Sequence, residues 1–280
     1  MSAGGRAILG VLEMLPEKDI SRAVRRLARS SASKAAIGAF ARRYGVATEE
    51  AEHDLEGYAS LLDFFTRRLK PGARPLDPDP GALLCPVDGL LDACGRIEGG
   101  KLIQAKGRDY TLAALLASEE LAQRYEDGTY ATLYLSPRDY HRVHAPADAQ
   151  VIGATYVPGT LLPVNANAVA HVDALFARNE RLITHLETPR FGRIEYVMVG
   201  ATCVGHISVT YDAELVTNTG GREIVRKRYE AAPALARGGE LGVFELGSTV
   251  ILILEPGIIL DRTAGSPVRV GERLGHRGPH

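Results

Sequence analysis

Phe244-Glu245-Leu246-Gly247-Ser248-Thr249-Val250 runs without a break into Ile251-Leu252-Ile253-Leu254-Glu255-Pro256. The apolar stretch reads as a buried strand, with a Gly-Ser-Thr at its mouth. Gly247 has no Cβ, so the backbone there can take a strained geometry in which Ser248 attacks the carbonyl that precedes it. Such an attack gives an ester by an N-to-O acyl shift. Elimination at Ser248 then splits the chain and leaves a pyruvoyl group, an electrophilic cofactor made from the protein itself. Taken alone, the motif favours an ordinary serine at a strand entrance.

Outward from this strand, short β-like runs punctuated by Gly and Pro recur at Gly89 to Arg96, Tyr130 to Leu135, Ala149 to Val157, Ile194 to Val204 and His206 to Leu215. Helices are expected at Leu112 to Tyr125 and near Val169 to Asn179. The N-terminal pattern differs. Ile20, Val24 and Leu27, then Ile37, Phe40 and Tyr44, recur at helical spacing. Lys18, Arg22, Arg25, Arg26, Arg29, Lys34, Arg42 and Arg43 fall mostly off that stripe. One or two amphipathic helices with a basic face are predicted. Such a face can lie on an anionic membrane surface, each nearby cation contributing roughly 1 kcal/mol, or can simply be solvated. A further helix is expected from Tyr58 to Leu69, and the prolines of Pro71 to Pro80 break regular structure after it. The predicted fold class is α+β, with a helical, basic N-terminal region over 1–70 and a β-rich catalytic domain over 71–280.

Hydrophobic residues at 45% and charged residues at 24% are ordinary for a folded globular protein. The net charge of −1 gives no global field pointing to nucleic acid. Cys85, Cys94 and Cys203 are odd in number and form no Cys-x-x-Cys, which argues against a disulfide framework or structural zinc and fits a reducing compartment. No apolar run reaches the roughly 18 residues that a membrane-spanning helix needs. Ala7 to Leu15 is short for a signal peptide and carries Glu13, so a cytoplasmic protein is expected.

Two more segments change the odds for Ser248. Tyr140-His141-Arg142-Val143-His144-Ala145-Pro146 holds two histidines three apart, and Cys85-Pro86-Val87-Asp88-Gly89 places a carboxylate at a turn. With Leu246-Gly247-Ser248-Thr249 they closely resemble the signatures of phosphatidylserine decarboxylase, the bacterial-type pyruvoyl enzyme. The resemblance takes in Phe64 to Pro75, Pro158-Gly159, Val164-Asn165, Arg178 to Arg181 and Val199 to Gly205, and so covers nearly all of the chain from about residue 60. It implies self-cleavage between Gly247 and Ser248 into a β chain of 1–247 and an α chain of 248–280, which stay together as a non-covalent heterodimer open to further oligomerisation. Asp88, His144 and Ser248 match the family's self-cleavage triad, and His141 is implied in decarboxylation. The implied cofactor is the pyruvoyl group derived from Ser248, with no metal. It forms a Schiff base with phosphatidylserine and releases CO2 to give phosphatidylethanolamine, on the cytoplasmic face of the cell membrane as a peripheral protein against anionic lipid.

The residue types suit those roles. A serine hydroxyl is a poor nucleophile until a base takes its proton, and an imidazole such as His144 is the side chain best poised to do so near neutral pH. A carboxylate such as Asp88 can fix its tautomer; alone, Asp88 before Gly89 would be a turn cap. Val164 and Asn165 belong to a segment that resembles the family's substrate-pocket loop, where Pro163 stands in place of a serine common among relatives. Arg178 to Arg181 is expected to be a structural turn held by ion pairs, with a phosphate contact as the rival reading. A zinc pair at His141 and His144 lacks a third ligand at a recognisable spacing, though His171, His185 and His206 leave that reading formally open. The rival functions are a Ser-His-Asp hydrolase, which lacks the Gly-x-Ser-x-Gly elbow, a pyruvoyl decarboxylase of a small amino acid, and a non-enzymatic β-rich membrane-surface or carrier module.

Overall fold

The computed structural model describes residues 17–105, 108–202, 206–218, 221–245 and 248–279. Leu246, Gly247, Cys203 to Gly205 and the segment Ala7 to Leu15 lie outside the described residues. In chain order the strands are β1 (Ala82–Leu84), β2 (Gly89–Arg96), β3 (Lys101–Ala105), β4 (Arg108–Thr111), β5 (Thr129–Leu135), β6 (Arg142–His144), β7 (Ala149–Val157), β8 (Arg181–Thr188), β9 (Gly192–Val199), β10 (Ile207–Val209), β11 (Val225–Arg228), β12 (Ala234–Leu235), β13 (Glu240–Phe244), β14 (Ser248–Leu254), β15 (Ile258–Leu260), β16 (Ser266–Val268) and β17 (Arg273–Arg277). The architecture is α+β.

A nine-stranded sheet runs in the order β11-β7-β8-β9-β14-β5-β2-β16, with β12 beside β7, and its pairings are antiparallel. The strand that decides the fold lies near its middle. β14 pairs with β5 from Ser248↔Leu135 to Leu254↔Thr129 and with β9 from Thr249↔Val199 to Leu254↔Ile194. Every residue of β14 is buried, so neither face is wet and the sequence shows a continuous apolar run instead of alternation. Smaller sheets β10-β13-β6 and β1-β17-β15 and the hairpin β3-β4 flank this one.

Local chemistry sets several boundaries that the sequence pattern placed elsewhere. The helix expected over Leu112 to Tyr125 is two, Leu112–Leu116 and Glu119–Arg124, because Ala117 turns left-handed (φ 51°) and Ser118 caps a new start by accepting from Leu121 N. The helix expected near Val169 to Asn179 also divides, into Ala166–His171 and Leu175–Arg178. There the buried Gln104 amide donates to the Val169 and Val172 carbonyls and accepts from Leu175 N, which occupies the groups that a continuous helix would use. Tyr58 to Leu69 shortens to Leu61–Phe65, begun by the Ser60 cap and closed by the Thr66 hydroxyl on the Leu62 carbonyl. His206 to Leu215 keeps only β10, since a turn from Asp212 to Leu215 follows it.

The N-terminal helix spans Glu17–Arg29. Its docked side follows Ser21, Val24, Arg25 and Ala28, and Leu27, expected on the apolar stripe, is 67% exposed. The difference arises because Arg25, not Leu27, finds a partner in the β-rich part of the chain. Ile37, Ala41, Val46, Ala51, Tyr58 and Phe64 form a small second core, distinct from the main one that begins at Leu83.

Candidate active site

Ser248 is fully buried at the first position of β14, directly across the ladder from Leu135. Its Oγ has no hydrogen-bond partner among the described residues, and neither has the Thr249 hydroxyl beside it. Two residue types that usually find partners when buried therefore stand unpaired where the strand begins.

One residue past Leu135, the Ser136 carbonyl accepts from His141 Nε2 at 3.1 Å. A carbonyl can only accept, so Nε2 carries the proton and Nδ1 keeps its lone pair. That Nδ1 is also buried and has no partner among the described residues. The ring stacks on Phe65 at 4.0 Å between centroids. Burial, with the Arg67 guanidinium adding to it, pushes the His141 pKa down to about 3, so the ring is neutral. Phe244 N donates to the His141 carbonyl at 3.1 Å, which ties the end of β13 to the same segment.

His144 sits at the end of β6, paired with Glu240 of β13. Its Nδ1 donates to the Gly238 carbonyl at 2.9 Å, leaving Nε2 to accept from the Tyr140 hydroxyl at 3.2 Å. Burial lowers the His144 pKa, while the Glu240 and Asp88 carboxylates oppose that shift. Tyr140 is pushed up to about 12, chiefly by burial, and so stays protonated as the donor.

Asp88 lies between β1 and β2 in a different set of contacts. Its carboxylate accepts from Arg74 Nε at 2.9 and 3.0 Å, from Arg74 Nη2 at 2.5 Å and from Val270 N at 2.9 Å. Arg74 also reaches Glu50 at 2.7 Å. Burial alone would lower the Arg74 pKa, but the hydrogen bonds it donates to these two carboxylates carry it above its ordinary value. Gly89 (φ 155°) follows, and a Cβ there would stand 2.1 Å from the Tyr134 carbonyl, so the turn that presents Asp88 needs glycine. Asp88 and Tyr140 line one polar cavity of about 490 Å³ with Arg67, Arg74 and Arg138. Among the described residues no hydrogen bond joins Asp88 to His144, and Asp88 acts on that ring through its charge.

Of the weaker candidates, Val164 is buried, and Asn165 caps the helix Ala166–His171 by accepting from Ala168 N at 3.0 Å. Within Arg178 to Arg181, the Arg181 and Asn179 side chains donate to main-chain carbonyls. Arg181 donates to those of Leu115, Ala114, Ala177 and Asn179, and the Asn179 amide to those of Leu162 and Gly200. Among the described residues no three His, Cys, Asp or Glu side chains group as metal ligands. Cys85 and Cys94 are free. Arg74 and Tyr140 lie in the Phe64 to Pro75 and Tyr140 to Pro146 segments, where the sequence alone gives them no role. Tyr140 could have been singled out by its place four residues before His144; Arg74, fourteen residues from Asp88, gave no local signal.

The sequence pattern of the family described as phosphatidylserine decarboxylase matches residues 61–276. The chain belongs to the phosphatidylserine decarboxylase family. It is 49% identical over 278 residues to the phosphatidylserine decarboxylase proenzyme of Anaeromyxobacter sp. (strain K), covering 96% of this chain and 98% of that protein. It is 42% identical over 277 residues to the protein of that name from Myxococcus xanthus (strain DK1622), with the same coverage. With that of Pseudomonas aeruginosa (strain UCBPP-PA14) it shares 48% over 247 residues, 85% of this chain and 84% of the other. As a member of the phosphatidylserine decarboxylase family the chain is a decarboxylase and so a carboxy-lyase, and the matched span includes Asp88, His141, His144 and Ser248.

Proposed function

We propose that the protein is a self-processing phosphatidylserine decarboxylase that cuts itself between Gly247 and Ser248. The observation that carries this reading is the Ser248 hydroxyl, wholly buried at the head of a central strand and without a partner among the described residues. Burying a hydroxyl without a partner costs about 1–3 kcal/mol, which an alanine at the same place would avoid. The orphaned oxygen fits a residue consumed by its own chemistry and so fits a pyruvoyl group at position 248.

In this reading His144 takes the Ser248 proton at Nε2, the nitrogen left open once Tyr140 yields, while the Asp88 charge favours the imidazolium. The Ser248 oxygen bonds to the Gly247 carbonyl carbon and the peptide C–N bond breaks. Loss of the Ser248 α-proton then expels Gly247 as a carboxylate, and water displaces the nitrogen as ammonia. The pyruvoyl group supplies an electrophile for the amine of the serine headgroup and a sink for the electrons left as CO2 departs. His141, neutral and dry, exchanges a proton with the substrate carbon. β14 keeps the 248–280 piece joined through ladders on both sides. Exposed Arg22, Arg26, Leu27 and Arg29 on the N-terminal helix suit a peripheral position on an anionic membrane. No described helix is long and apolar enough to cross a membrane.

The test is turnover of phosphatidylserine vesicles, with released CO2 and phosphatidylethanolamine measured together. Wild type should produce both in equal amounts and Ser248→Ala neither; turnover by Ser248→Ala would contradict the proposal.

A further inference from the structure

We propose that Arg25 of the N-terminal helix is a positioning residue for self-cleavage, acting through Glu245; this rests on the self-processing reading above. The guanidinium engages the Glu245 carboxylate through both Nε and Nη2, the latter at 3.1 Å, across 220 residues of sequence. The two side chains are 24% and 13% exposed, so this is a partly desolvated fork and not a mobile surface pair. Glu245 stands three positions ahead of Ser248.

The rest of this approach to Ser248 is tied as well. Phe244 N donates to the His141 carbonyl and Glu245 N to the His206 carbonyl, at 3.1 and 3.0 Å. Two residues are therefore held on three sides: by the histidine segment, by the chain before β10, and by the N-terminal helix. Beyond the cut, Ser248 is fixed in the β14 ladders. The chain thus enters and leaves the scissile bond from two anchored points. An intramolecular attack depends on such restraint, since misplacing the reacting atoms by about 1 Å can cost 100-fold in rate. The helix has no need of an arginine for docking alone. Its neighbours on the docked side are Ser21 and Ala28, both buried, and an apolar residue between them would avoid the desolvation that a charged pair incurs.

Scission is followed by intact mass against time in cell-free translation, for Arg25→Ala, Arg25→Lys, Glu245→Ala and the charge swap Arg25→Glu with Glu245→Arg. Arg25→Ala and Glu245→Ala should cut about tenfold more slowly than wild type, the loss expected for a partly buried bidentate ion pair. Arg25→Lys should fall between, as a point charge replaces a fork, and the swap should recover most of the rate. The same substitutions placed in the uncut Ser248→Ala chain report melting temperature, which a merely structural role would lower in step with the rate. Cutting by Arg25→Ala at the wild-type rate overturns the proposal, and so does a swap that melts like its parent yet cuts slowly. A wild-type chain that never cuts would instead overturn the self-processing reading itself.

Discussion

His141 should make folding stability depend on pH, and the size of the effect follows from its surroundings. The ring is wholly buried against Phe65, and its pKa falls from an ordinary 6.5 to about 3. The unfolded chain binds a proton below pH 6.5 that the folded chain refuses until about pH 3. Stability contributed by the neutral ring is therefore present above pH 6.5 and is lost as pH falls through that window. At about 1.4 kcal/mol per pH unit the full loss, complete below pH 3, approaches 5 kcal/mol, and between pH 7 and pH 5 it is about 2 kcal/mol. The assay is urea unfolding of Ser248→Ala, which stays one chain, beside Ser248→Ala with His141→Gln. Glutamine does not titrate and can still donate to the Ser136 carbonyl. The parent should lose about 2 kcal/mol more than the glutamine variant between the two pH values. Equal losses would refute a neutral, desolvated His141, and with it the reasoning that leaves its Nδ1 lone pair open.

Other perturbations separate the roles of the site. His144→Ala and Asp88→Ala should slow scission at least 100-fold by intact mass, the scale of losing a general base or its support, whereas His141→Gln should cut and then release CO2 from phosphatidylserine poorly. Gly89→Ala drives a Cβ into the Tyr134 carbonyl and forces an unfavourable φ, so it should cost at least about 3 kcal/mol in the Ser248→Ala chain, read by urea unfolding. Leu252→Ala empties a fully buried position on the central strand and should cost about 2–5 kcal/mol by the same measurement.

Val250 to Leu254 was legible because burial on both faces writes itself as an unbroken apolar run, although the strand begins two residues earlier at Ser248, and β2 and β7 were legible to the residue. Helix lengths were less so. An unbroken stretch from Leu112 to Tyr125 hides a left-handed Ala117 and a fresh cap at Ser118, and one buried amide, Gln104, breaks the next helix from far away in sequence. Ser248, His141, His144 and Asp88 stood out through the resemblance of their segments to the family's signatures, since taken alone Ser248 reads as an ordinary strand-entrance serine and Asp88 as a turn cap. Their immediate partners did not. Arg74 on Asp88 and Gly238 on His144 are tertiary pairings, as is Arg25 on Glu245 ahead of the cut, and local periodicity does not encode them. The exposed Leu27 shows the same limit from the other side, since helical spacing marks an apolar stripe without saying which neighbour it must meet.

Scission at Ser248 is read straight from an intact mass spectrum of the purified wild-type protein under denaturing conditions. Two species are expected, one ending at Gly247 and one of residues 248–280 whose first residue is a pyruvoyl group, while Ser248→Ala gives one full-length chain. A single unmodified wild-type chain, from a preparation that turns over phosphatidylserine, would contradict scission at Ser248.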